Sequence, residues 1–299
     1  IIDSESCGIQ HPGSEKVRSA VMDAVRELKI PAYDEETGDG ILRHIVTRVS
    51  YSTGDIMVIL VVTREGIPGL DSLIRKITGD IPEVKSIVLS INRRRDNVIL
   101  GDTVRTVYGS DTLVDRLRHL TFHISPLSFY QVNPVQTVVL YEKAVEFAGL
   151  TGSETVFDLY CGIGTISLFL AERAGKVIGV EIVPEAVDAA IKNAKVNNIT
   201  NTEFYCGAAE EIVPRLYEKG ARADVVVVDP PRKGCDAALL ETMVKMQPER
   251  IVYVSCNPST LARDLKYLAA NGYGVREVQP VDLFPWTEHV ECVTLMSRL

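Results

Sequence analysis

The chain has 299 residues, 46% hydrophobic and 24% charged, with 40 acidic against 32 basic side chains and a formal charge of −8. That length leaves room for two cores, and that charge excludes a uniformly basic surface, so nucleic acid would have to be met by local patches. Apolar runs such as residues 225–228 are too short to span a bilayer, no signal-peptide pattern is present, and the six cysteines lack framework spacing, so a protein of the reducing cytoplasm is expected.

In the first half, an amphipathic helix is predicted over residues 14–28, strands over 42–50 and 55–62, a helix over 70–78, and strands over 86–91 and 122–124. Strands with few alternating crossovers point to a small α+β domain, placed at residues 1–125 and read as substrate-binding. It carries 16 basic and 18 acidic residues; the remaining 126–299 carries 16 and 22. No repeat, low-complexity tract or long linker separates the two.

In the second half, a short apolar strand at 154–159 runs into Tyr160-Cys161-Gly162-Ile163-Gly164-Thr165 and a helical stretch to 174. A strand follows at 176–180, closed by Glu181, then a helix from Pro184 to about 197, a strand at 203–206, a helix to about 219, a strand at 223–228, a helix at 237–246 and a strand at 250–254. Strands and helices alternating at this spacing predict an α/β domain built on a doubly wound, Rossmann-like parallel sheet. Two last strand-like runs, 274–283 and 289–297, are joined by Phe284-Pro285-Trp286-Thr287-Glu288, a link short enough for a closing antiparallel pair.

A strand, a glycine turn and a helix let a ligand approach the backbone at the carboxyl end of a sheet. Gly162 and Gly164 form that turn, with Asp158 before it and Glu181 about 20 residues on, where an acid binds ribose hydroxyls. A dinucleotide site would share this pattern. Ser167, however, stands where the third glycine of a pyrophosphate loop belongs, and hydride transfer has no use for the rigid corner Asp229-Pro230-Pro231. A nucleoside-type site is therefore expected, although Glu181 at a strand end also suits a loop cap.

Downstream lies Ser255-Cys256-Asn257-Pro258-Ser259-Thr260, a thiol in a polar loop at a strand end. Such a thiol suits methylation of carbon-5 of a pyrimidine. Carbon-5 is too weak a nucleophile to attack a methyl sulfonium, so a thiolate first adds to carbon-6, and a base later removes the carbon-5 proton. Cys256 is the candidate nucleophile. Cys161, Cys206, Cys235 and Cys292 lack its setting and are read as packing residues; Glu291, on its residues alone, reads as a solvated strand position.

The segments 125–134 (SPLSFYQVNP), 158–164 (DLYCGIG), 229–234 (DPPRKG), 254–260 (VSCNPST) and 289–291 (HVE) resemble, in order and spacing, the RNA uracil-5-methyltransferase family. The likeness extends over essentially the whole chain and, through residues 33–44, is nearer to the 23S ribosomal RNA branch than to the transfer RNA branch. It implies an S-adenosylmethionine-dependent enzyme that makes 5-methyluridine through a covalent cysteine–uracil adduct. Cys256 matches the nucleophile and Glu291 the proton-abstracting base. Gln131, Tyr160, Gly162, Glu181 and Asp229 match or flank positions that bind the donor, with Asp229 also near the target base.

The implied partner is RNA, ribosomal or transfer, with no membrane and no obligate protein partner. Candidate contacts are Arg93-Arg94-Arg95, which reads equally as a solvated turn, Arg43 with His44 and Arg48, and Arg232-Lys233. Phe129, Tyr130 and Trp286 suit base stacking or core packing alike, and His289 and Trp286 suit either the base pocket or packing. Family members carry an N-terminal RNA-binding barrel and, in many cases, a four-cysteine iron–sulfur site. The chain starts at Ile1 rather than Met, and Cys7 resembles only the last of those ligands, so a truncated chain that holds no cluster by itself is expected, and no metal site is predicted.

Overall fold

The computed structural model describes residues 7–299, which fall into two compact units: residues through Arg116 with His123–Leu127, and Leu117–Phe122 with Ser128–Leu299. In the first unit, α1 (Pro12–Glu27) opens with proline in its first turn and His11 Nδ1 accepting the Gly13 N–H at 3.0 Å. Strands β1 (Leu42–Val49) and β2 (Ile56–Val62), helix α2 (Leu70–Asp80), and strands β3 (Val84–Ile91) and β4 (Thr103–Gly109) form a mixed sheet ordered β1-β2-β3-β4. Only β2 and β3 are parallel, and α2 is their crossover. Every residue of β2 is buried, and Val58, Leu60 and Val62 join Val17, Val21, Leu73 and Ile77 in one core.

Two strands stand outside the sequence reading. β4 is a largely exposed edge whose Thr and Arg positions give no apolar face. β5 (Leu113–Leu117) interrupts its apolar alternation with the buried Asp115, whose carboxylate accepts from Ser50 Oγ at 2.9 Å and the Ser52 N–H at 3.0 Å. With β6 (Leu120–Ile124) it makes a separate two-stranded sheet.

The second unit begins with α3 (Pro134–Ala148), whose first turn is capped by Asn133. There follow β7 (Thr155–Leu159), α4 (Thr165–Ala171), β8 (Lys176–Glu181), α5 (Pro184–Val196), β9 (Thr202–Cys206), α6 (Ala209–Glu218), β10 (Val225–Val228), α7 (Ala237–Met246), β11 (Arg250–Ser255), α8 (Pro258–Ala270), β12 (Tyr273–Val281) and β13 (Glu291–Arg298). The seven-stranded sheet runs β12-β13-β11-β10-β7-β8-β9. The five strands from β11 to β9 are parallel, while β13 runs antiparallel to both β11 and β12.

This is the expected α/β, Rossmann-like sheet, closed by the expected antiparallel pair, but β13 sits inside the sheet rather than at its edge. β10 is four valines because helices cover both faces of such a sheet. Strand order reverses beside β7, with β8 and β9 on one side and β10 and β11 on the other. The carboxyl ends of β7 and β10 therefore flank the crevice where ligands bind in this architecture.

One segment read as a polar loop is the start of a helix. Asn257 Oδ1 accepts the Ser259 N–H at 3.0 Å and Pro258 occupies the first turn, so Cys256 immediately precedes the N-cap of α8. No helix among the described residues is long and apolar enough to cross a membrane.

Candidate active site

The carboxyl ends of β7, β8, β10 and β11, together with the first residue of β13, open on a cavity of about 640 Å³ within the second unit. All seven residues singled out from the sequence, Gln131, Tyr160, Gly162, Glu181, Asp229, Cys256 and Glu291, line it.

On the β7 and β8 side, the backbone turns through left-handed conformations at Tyr160 (φ 66°), Gly162 (φ 56°) and Gly164 (φ 81°). The N–H groups of Tyr160 and Cys161 both reach the Val180 carbonyl, at 2.9 and 3.1 Å, which pins the turn to the neighbouring strand. A Cβ at Gly164 would sit 3.1 Å from the Ala190 Cβ, so this position is bound to glycine by both conformation and space. Glu181 Oε2 accepts the Gly162 N–H at 3.1 Å, and Oε1 accepts the Val183 N–H at 2.9 Å. Both uses weighed for Glu181 thus coincide: the carboxylate ties two loops and keeps a lone pair on each oxygen for a ligand.

Beneath the turn, Asp158 is fully buried. Ser167, standing at the place of the missing third glycine, donates its hydroxyl to Asp158 Oδ2, while Oδ1 has no partner among the described residues. Burial raises this carboxyl to about 7 against the pull of the Ser167 hydroxyl, and Asp229 adds to the rise.

On the β10, β11 and β13 side, Ser255 pairs with Cys292 at the end of the β11/β13 ladder. One further antiparallel step opposes Cys256 to Glu291. Asp229 follows the last residue of β10 and donates its N–H to the Leu159 carbonyl at 3.3 Å. Burial, then the charge of Asp229, raises Glu291 to about 7, with Arg232 pulling the other way. Asp229 itself rises to about 6 by burial.

The Cys256 thiol is pushed up by burial and by Glu291 and Asp229, and is drawn down by Arg232. The N-terminus of α8 favours the thiolate as well. A thiol, a near-neutral carboxyl opposite it, a second buried carboxyl and a guanidinium therefore converge on one chamber.

Two staples hold this arrangement. The Arg232 carbonyl accepts from Asn257 Nδ2 and Thr260 Oγ1, each at 3.1 Å, which fixes the Asp229–Lys233 corner to the start of α8. Behind it the buried Asp264 accepts from the Cys235 N–H at 2.8 Å, the Tyr253 hydroxyl at 2.6 Å and Arg263 Nε at 2.8 Å. On the opposite wall Gln131 is almost wholly buried, and Asn133 Nδ2 donates to the Leu283 carbonyl at 3.2 Å, joining that wall to the β12–β13 loop.

A family model for tRNA (uracil-5-)-methyltransferases matches residues 87–299. The chain belongs to this family. Among its relatives are proteins named as uncharacterized RNA methyltransferases from Halalkalibacterium halodurans, 54% identical over 99% of the chain, and Caldanaerobacter subterraneus, 51% identical over all of it. The chain spans 65% and 66% of their lengths. The Pyrococcus abyssi tRNA (uracil-54, C5)-methyltransferase, solved in complex with S-adenosyl-L-homocysteine, is 30% identical with a TM-score of 0.83, over 99% of this chain and 70% of that one.

Within the family frame, several sequence readings change. Arg232, read as an RNA contact, lies in the cavity beside the thiol and Glu291. Arg43 turns inward instead: its side chain is 1% exposed, lies over the Tyr33 ring and donates to the Arg94 carbonyl at 2.7 Å. Arg48 is half-buried and donates to the Pro126 carbonyl at 3.2 Å. The arginine triplet is a tied turn, with Arg94 paired to Asp96 and Asp102, and Arg93 and Arg95 donating to the carbonyls of Thr63 and Thr37.

Cys161, Cys235 and Cys292 are buried as expected, but Cys206 is exposed and so is not a packing residue. Phe129 and Trp286 are exposed, which removes the core-packing reading for both, whereas Tyr130 packs near Phe122 with ring centroids 6.3 Å apart. Asp264 was missed altogether, because one acid inside an amphipathic helix reads as a solvent-facing position.

Proposed function

We propose that the protein is an RNA methyltransferase that transfers a methyl group from S-adenosylmethionine to carbon-5 of a uridine through a covalent adduct with Cys256. The observation that carries the proposal is the β11/β13 register, which opposes Cys256 to Glu291 in a cavity shared with Asp229 and the glycine turn. The donor fits the β7 and β8 side on two counts: the turn at Gly162 leaves its ligand face open, and the Glu181 carboxylate is oriented by two N–H groups with capacity to spare. When bound, this donor supplies an electrophilic methyl on a sulfonium.

The chain's own residues account for the remaining steps. The Cys256 thiol gives its proton to water, Sγ as the thiolate bonds carbon-6, and the carbon-5–carbon-6 π pair shifts toward carbon-5 and the O4 oxygen. Arg232 is the cation that draws both Cys256 and Glu291 toward their charged forms, and it favours the thiolate and the enolate. Carbon-5 then takes the methyl, and the sulfonium keeps the electron pair of the broken bond. Glu291 removes the carbon-5 proton, the double bond re-forms and the carbon-6–sulfur bond breaks, returning the thiolate. Asp229, a cavity-lining carboxyl that burial raises to about 6, hydrogen-bonds the uracil edge in this reading. A base inside a duplex cannot reach such a chamber, so the uridine is flipped out of its stack.

The domain assignment belongs to the same proposal, with residues 1–125 as a central RNA-binding domain and 126–299 as the catalytic domain. Likeness through residues 33–44 supports a uridine in 23S ribosomal RNA. A transfer RNA substrate is the second reading, favoured by the 30% identity to the Pyrococcus abyssi enzyme.

The deciding experiment incubates the protein with labelled S-adenosylmethionine and unmodified ribosomal or transfer RNA, and analyses the nucleosides by mass spectrometry. 5-Methyluridine is expected. 5-Methylcytidine would overturn the base assignment, and no product from either RNA would overturn the activity. Cys256→Ala should abolish both product and adduct, whereas Glu291→Gln should accumulate the methylated adduct on denaturing gels.

A further inference from the structure

The loop between β12 and β13 contains a residue that methyl transfer leaves unused. In Phe284-Pro285-Trp286-Thr287, the Thr287 N–H donates to the Phe284 carbonyl at 3.2 Å and the Thr287 hydroxyl donates to the same oxygen at 2.7 Å. Proline at the second position and φ +66° at the third are marks of a type II turn, whose third position ordinarily holds Gly or Asn. A bulky side chain is strained there, and such strain persists where something else makes use of it.

Burial does not offset the strain. Trp286 is 94% exposed, and its ring meets no other aromatic ring among the described residues. Phe284, two residues earlier, and His289, three residues later, both line the cavity. Two residues separate Cα atoms by at most about 7 Å, so Trp286 stands at the cavity rim.

We infer that Trp286 is a stacking platform for the nucleobase adjacent to the target uridine in a single-stranded segment of RNA. The inference rests on the RNA-methyltransferase reading. Drawing one base into the cavity strips its neighbour of a stacking partner, and an indole at the rim replaces the lost face. Every base has such a face, so this subsite contributes affinity without reading sequence. It also gives an acidic protein a means of holding RNA that does not depend on positive charge.

The test uses Trp286→Gly and Trp286→Phe in steady-state methylation of unmodified ribosomal or transfer RNA. It adds tryptophan fluorescence during titration with a single-stranded, uridine-containing oligonucleotide. Glycine suits the turn, so Trp286→Gly should match or exceed the parent in thermal stability while its KM for RNA rises roughly 5- to 100-fold and kcat changes far less. Trp286→Phe should recover most of the affinity. The parent's tryptophan emission should be quenched by RNA, and that quenching should be absent in Trp286→Phe.

An unchanged KM in Trp286→Gly, an unquenched tryptophan in a protein that methylates RNA, or unfolding of the glycine variant would each overturn the inference. Quenching without any methylated nucleoside would sink the uracil reading and leave the subsite standing. The loss of both signals would sink both.

Discussion

Glu291 combines two properties that solvent exposure would keep apart: it faces the thiol, and burial holds its carboxyl near 7. As the proton acceptor it works only when ionised, so kcat should rise with pH through about 7 and level off above it. A pH profile flat from about 6 to 8 would remove Glu291 from the rate-limiting proton transfer. The same burial has a thermodynamic cost. Asp158, Asp229 and Glu291 all have folded-state values above the ordinary carboxyl range. Between about pH 4 and 7 the native state therefore binds more protons than the unfolded chain, and unfolding free energy falls as pH rises, opposite to the usual carboxylate sign. Thermal midpoints should decline across that window, and Asp158→Asn should flatten the decline. Cys256, Glu181 and Asp229 were legible because motif and strand end coincide in the sequence. Glu291 was legible only through the family resemblance: its own residues do not distinguish it from a solvated strand position, and a ladder with a strand 36 residues away is what brings it to the thiol.

Between residue and molecule, the elements act by fixing loops to one another. Asp264 takes three hydrogen bonds from three different segments, so removing its carboxylate strands two buried donors, the Cys235 N–H and the Tyr253 hydroxyl. Asp264→Ala should cost on the order of 3 kcal/mol. Differential scanning calorimetry would register the loss, and kcat should fall as well, because the Asp229–Lys233 corner loses its backing. The parallel strands β7, β8, β10 and β11 were readable because strands buried on both faces are continuous apolar runs. β4 lacked such a run, β5 hides a satisfied acid at its centre, and α8 begins at a capping Asn-Pro that also reads as a loop.

For the molecule as a whole, the formal charge of −8 excludes a uniformly basic surface, and Arg43, a candidate phosphate contact, turns inward. RNA binding by this 299-residue chain should therefore depend weakly on salt, with a slope of log K against log salt no steeper than about −3. A steep slope would mean a basic surface that the charge distribution does not suggest. The α/β class and the order of elements in the second unit followed from alternation alone. The insertion of β13 between β11 and β12 did not, because chain order cannot specify which neighbour a last strand chooses.

That insertion also divides the chain into parts that tolerate change in length and parts that do not. Side chains alternate across a strand, so adding or deleting a single residue within β13 while its far end stays paired would present Val290 or Cys292 to the thiol in place of Glu291. The preceding loop, residues 282–290, lies outside the ladder and can lengthen or shorten without disturbing that opposition. Lineages descending from one such enzyme can therefore diversify their RNA targets through this loop while β13 keeps its residue count.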